Sequence, residues 1–232
     1  MIRLNKFLAH QTGISRREAD DAISSGRVFI NGKKAAIGSQ IDDTSTIALD
    51  GQQISHETSH LTILLNKPVG YVSSRSSQSG SKNKNETIYA LLPTEFKKLK
   101  PVGRLDKDSS GLLLMTTDGD FAFQMTHPKF HKTKSYLVSI KPALSPLHQQ
   151  MISDFGVNLD DGKSQLNLEK ISDNRLNWRV SMHEGRNRQI RRTFASLGYE
   201  VTKLHRTDFG NFSLGNLEPG NWQEVYINQK TS

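Results

Sequence analysis

The chain has 232 residues, enough for one sizeable core or for a small domain followed by a larger one. Its 31 Lys and Arg against 23 Asp and Glu give a net charge of +8, which points to a polyanionic partner. It contains no Cys, which excludes disulfides, thiolate metal sites and cysteine nucleophiles; no apolar run approaches the roughly 20 residues that cross a bilayer.

No signal-peptide pattern opens the chain, so a cytoplasmic protein without membrane attachment is expected. Leu4, Phe7 and Leu8 fall on one helical face, and Gly13 ends that helix. Ser15-Arg-Arg-Glu18 has the form of a capping box, and Ala19, Ala22 and Ile23 give the next helix its buried stripe up to Gly26. Arg16 and Arg17 stand in the first turn, where the helix dipole disfavours cations, so an external anion is expected beside them. Val28-Phe-Ile30 is a strand entering a hairpin turn at Asn31-Gly32, followed by Lys33 and Lys34. Residues 1–50 thus form a small module of two helices and a basic hairpin, and the polar stretch 51–60 reads as a linker.

A new core begins at Leu61-Thr-Ile-Leu-Leu65, a buried strand that turns out through Asn66-Lys-Pro-Val-Gly70. Residues 73–86 have no apolar anchor and are expected to be a mobile loop. Pro101 to Met115 carries Arg104, Asp106 and Lys107, turns at Ser109-Ser110-Gly111, and runs into the apolar strand Leu112–Met115. Asp106-x-Asp108-x-Ser110-Gly111 imitates the first half of a calcium loop, but the closing Glu position falls at Thr117. Asp120 is placed to cap a helix through Phe121 and Met125. His127 and His131 have a metal-ligand spacing, but Pro128 puts them on a loop, and no metal site is expected. Lys132 to Ile140 alternates as a strand carrying Tyr136, Pro142 to Ile152 has helical spacing, and Trp178 to Met182 reads as a strand. In Glu184 to Gly198, Ile190, Phe194 and Leu197 share a buried face while Arg188, Arg191 and Arg192 crowd the surface.

Two sets of motifs resemble known families. Arg3-Leu-Asn-Lys-Phe-Leu-Ala9, Ser15-Arg-Arg-Glu-Ala-Asp20 and Gly26-Arg-Val-Phe-Ile-Asn-Gly32 resemble the S-four-like RNA-binding domain. Gly103-Arg-Leu-Asp106 with Gly111-Leu-Leu113, Asn66-Lys-Pro-Val-Gly70, Lys134-Ser-Tyr136 and Gly185-Arg-Asn-Arg-Gln-Ile-Arg-Arg192 resemble the RsuA-type ribosomal RNA pseudouridine synthases.

The resemblance implies an α+β protein: the S-four-like domain, then a catalytic domain over 61–232 with a mixed, mostly antiparallel sheet. It implies isomerisation of one uridine, extruded from its stack, with Asp106 as the essential carboxylate and Arg191 paired to it. By the same likeness Tyr136 packs on the target base and Arg104 fills the space the base leaves. Arg16, Arg17, Arg27, Lys33 and Lys34 are expected on the RNA backbone, and Arg186, Arg188 and Arg192 on RNA near the site. No metal or cofactor is implied. The expected partner is ribosomal RNA, 23S before 16S, within pre-ribosomal particles, met by a monomer. Two other readings stay open: a non-catalytic RNA-binding protein, and a hydrolase pairing Asp106 with Asp108 to release free uracil.

Overall fold

The computed structural model describes residues 1–56, 60–74 and 86–227; most of the 73–86 stretch therefore lies outside the described residues. The first module contains α1 (Leu4–Thr12), ended by Gly13 at φ 77°, and α2 (Arg16–Ser24). Ser15 and Glu18 form the reciprocal capping box, with Glu18 N donating to Ser15 Oγ at 3.1 Å and Ser15 N to Glu18 Oε2 at 2.6 Å. Strands β1 (Val28–Ile30) and β2 (Lys33–Lys34) are joined by Asn31 and Gly32, both at positive φ (48° and 76°), as the tight hairpin requires. β3 (Ile47–Leu49) and β4 (Gln52–Ile54) complete a four-stranded sheet. The expected linker 51–60 therefore begins inside this module, because Gln52 to Ile54 pair with β3; residues 57–59 lie outside the described residues. Leu4, Phe7, Leu8, Ala19, Ala22, Ile23 and Val28 make the module's own core.

The second unit is built on a nine-stranded sheet. Seven of its strands form one path, β5 (Thr62–Lys67), β6 (Ser110–Thr116), β7 (Lys134–Lys141), β8 (Asn167–Lys170), β9 (Asn177–Met182), β10 (Glu200–Phe209) and β11 (Trp222–Glu224), and two short ones, Lys100–Pro101 and Phe212–Ser213, pair off it with β6 and β10. The order is β8-β9-β7-β10-β6-β5-β11; only the β10–β6 pair is parallel. The run Leu112–Met115 is continuously apolar because both faces of β6 are covered: Leu113 and Met115 enter one core, Leu112 and Leu114 the other. Two helices pack on this sheet's elements, α3 (Gly119–Thr126) and α4 (Gln189–Ala195).

Several local expectations shift. Asp118, not Asp120, caps α3, accepting from Asp120 N and Phe121 N at 2.8 and 3.0 Å. The helix expected over Pro142 to Ile152 starts later, as the short α-helix Pro146–Gln150 capped by Ser145, and continues into a π-helical segment at Met151–Phe155. Gly111, read as a turn residue, lies inside β6 at φ 104°. A Cβ there would sit 2.2 Å from the carbonyl oxygen of Arg206, its partner on β10, so only glycine lets the parallel strands meet.

Candidate active site

Asp106 stands on the loop that feeds β6, and the loop is held from below by the end of β5 and the segment after it. Lys67 is fully buried, and its Nζ donates to the carbonyl oxygens of Pro68, Asp106 and Ser109 at 3.0, 3.1 and 2.7 Å. Gly70 N donates to Lys107 O at 2.7 Å. Ser73 Oγ donates to Leu105 O at 2.9 Å and accepts from Leu105 N at 3.3 Å. Burial pulls the Lys67 ammonium down to about 8, against the opposing charges of Asp106 and Asp108. The Asn-Lys-Pro segment is thus the clamp of the Asp106 loop.

From above, the loop meets the start of α4. Arg188 holds both carboxylates: its Nη1 lies 3.4 Å from Asp106 Oδ2, and its guanidinium forks onto Asp108 with bonds of 3.1 and 3.0 Å. Its backbone is left-handed (φ 47°), an uncommon state for a non-glycine residue that here turns the side chain over the loop. Hydrogen bonds from Arg188, with the charge of Arg191 behind them, hold the Asp108 carboxyl below the usual carboxylate range. The pairing expected between Arg191 and Asp106 is therefore made by Arg188. Arg191 instead braces the loop: Nη1 donates to Val201 O at 2.8 Å, Nη2 to Asp108 O at 2.9 Å, and Nε lies 3.4 Å from the Asp108 carboxylate.

Asp106, Arg104, Tyr136, Lys134, Arg188 and Arg206 line one cleft of about 700 Å³. The Asp106 side chain is 29 % exposed, open to a ligand yet fixed by its loop. Tyr136 is buried in β7, opposite Arg206 on β10. Arg186 and Arg192, expected on RNA, both bind Asp161 at 2.9 and 2.6 Å, so their charge is balanced within the chain. On the first module, Arg27 is paired with Asp50. Arg16, Arg17, Lys33 and Lys34 are exposed, Arg16 donating to Asn5 Oδ1 at 3.1 Å. Among the described residues no cluster of His, Asp and Glu could hold a metal ion, and no helix is long and apolar enough to cross a membrane.

The sequence alone does not single out Lys67, Ser73, Lys134 or Arg206. Lys67 and Lys134 belong to motifs that carry the family resemblance, but nothing local says that a lysine will be buried. A partly exposed carboxylate at position 106, faced by a guanidinium beside a tyrosine-walled cleft, suits electrostatic stabilisation of, or nucleophilic attack at, a sugar carbon.

Comparison with known proteins agrees with this geometry. A family model described as RNA pseudouridylate synthase matches residues 61–196, and one described as S4 domain matches residues 2–44. The chain is 34 % identical over 232 residues to the ribosomal large subunit pseudouridine synthase B of Bacillus subtilis, covering 97 % of this chain and 92 % of that one. It is 35 % identical over 227 residues to the dual-specificity RNA pseudouridine synthase RluF of Escherichia coli O6:H1, covering 97 % of this chain and 75 % of that one. A crystal structure of a pseudouridylate synthase superposes with a TM-score of 0.68 at 32 % identity, covering 97 % of this chain and 96 % of that one.

Proposed function

Because the chain belongs to the RNA pseudouridylate synthase family, we propose that it isomerises one uridine of large-subunit ribosomal RNA, with Asp106 at the bond between ribose and base. The observation that carries this reading is the Asp106 loop itself: a partly exposed carboxylate, clamped from below by Lys67 and Ser73 and faced by Arg188, at the mouth of a cleft wide enough for an extruded nucleotide.

In this reading Arg188 keeps Asp106 ionised and aimed, and Arg191 secures the loop that carries it. Tyr136 is the wall against which the uracil rests, and Arg104, exposed at the cleft rim, enters the space that the extruded nucleotide leaves in the RNA. Arg16, Arg17, Lys33 and Lys34 offer the first module's charge to phosphates, while Arg27, Arg186 and Arg192 reach RNA only by sharing their carboxylate partners. The large-subunit target rests on what the Bacillus subtilis relative is named for. The enzyme works in the cytoplasm as a monomer on ribosomal RNA or its assembling particles.

Mapping pseudouridines in the ribosomal RNA of cells with and without this protein tests the target. One large-subunit position losing its pseudouridine supports the reading; an unchanged large-subunit map, or loss at a small-subunit position, contradicts it.

A further inference from the structure

The floor of the cleft holds two cations that no carboxylate balances among the described residues. Arg206 is only 2 % exposed; its Nε donates to Leu112 O at 2.7 Å, and its Nη2 has no hydrogen-bond partner. Lys134 Nζ donates to backbone carbonyl oxygens alone, Glu184 O at 3.0 Å and His183 O at 3.5 Å. Both cations lie on the ring of Phe209, Lys134 Nζ 5.2 Å and the Arg206 guanidinium carbon 4.9 Å from its centroid. The Glu184 carboxylate is turned away, onto Arg186 Nε at 3.0 Å.

This arrangement is costly for the protein alone. An unpaired buried charge loses its hydration, and a second cation beside it adds repulsion. Burial first, then the charge of Arg206, draws the Lys134 ammonium down to about 8. Groups held at such a cost in a cleft are suited to charge that arrives only with the substrate or develops during its reaction.

The isomerisation supplies that charge, so a role for the two cations rests on the function proposed above. When the C1′–N1 bond breaks, the bonding pair leaves with N1 and spreads over O2 and O4 of the uracil, while the Asp106 carboxylate meets the electron-poor C1′. After the ring turns, an electron pair at C5 forms the C5–C1′ bond; the proton on C5 is removed and N1 regains one, so nothing is gained or lost overall. We propose that Lys134 and Arg206 form a cationic floor that stabilises the uracil anion while it is detached from the ribose.

Lys134 variants carry the test, because Arg206 also bonds β6 and its loss endangers folding. Lys134→Gln and Lys134→Arg are compared with wild type in single-turnover reactions on target RNA containing uridine or 5-fluorouridine, measuring loss of the starting nucleoside in nuclease digests. With uridine, Lys134→Gln is expected to lower the saturating rate by about 100-fold while RNA affinity stays within about threefold. The loss is expected to be severalfold smaller with 5-fluorouridine, whose more acidic base needs less help to leave, and Lys134→Arg is expected to restore most of the rate. Equal losses on both substrates would point to a structural lysine and overturn the proposal. So would weakened RNA binding with an unchanged saturating rate, the mark of a phosphate anchor. If wild-type protein converts no uridine at all, the function reading itself has failed, a result distinct from either.

Discussion

At the scale of single residues, the site divides labour between two arginines one helical turn apart. Arg188 is 43 % exposed at its side chain and faces the Asp106 carboxylate; Arg191 is 12 % exposed and is spent on backbone carbonyls. Arg188→Ala should therefore lower the rate of pseudouridine formation by about 100-fold with little change in stability, since it removes a partner of the carboxylate proposed to react. Arg191→Ala leaves two carbonyl acceptors without this donor and should cost about 1–3 kcal/mol in urea unfolding. Equal effects of the two substitutions on stability would erase the distinction. The resemblance of Gln-Ile-Arg assigned the pairing with Asp106 to Arg191, whereas the guanidinium facing that carboxylate is Arg188. The choice depends on the left-handed backbone at position 188, which local sequence does not announce for an arginine.

At the scale of elements, the parallel contact between β6 and β10 sets the cleft. Gly111 and Arg206 face each other across it, so the backbone that carries Arg206 lies one strand from the Asp106 loop. Gly111→Ala should destabilise the protein by about 2–4 kcal/mol, because the new methyl group meets backbone rather than a yielding side chain and φ is positive. Thermal unfolding measures this; an unchanged midpoint would mean that the strands separate freely. Elements with local signals were legible: the Ser15 box, the Asn31-Gly32 turn and the alternation of β7 depend on neighbours within a few residues. Lys67 and Arg206 were not, since the carbonyls of Asp106 and Leu112 that they hold lie 39 and 94 residues away along the chain, where periodicity carries no information.

At the scale of the whole molecule, charge and chemistry are separated. The first module presents Arg16, Arg17, Lys33 and Lys34 to solvent, whereas the arginines near the cleft are tied largely to Asp108 and Asp161. The net charge of +8 read from composition thus overstates the unpaired charge near the cleft. Replacing Arg16 and Arg17 with Ala should weaken RNA binding at low salt and reduce the slope of log affinity against log salt by about 1 to 2, without lowering the rate at saturating RNA. An unchanged slope would remove these residues from the RNA interface.

The proposed isomerisation gives the central role to the position 106 carboxylate. Asp106→Asn keeps the side chain's size and removes its charge. Measured on the mapped target RNA, the variant should form no detectable pseudouridine while its RNA affinity stays within about threefold of wild type, because phosphate contacts dominate binding. Pseudouridine formation by Asp106→Asn at the wild-type rate would contradict the account.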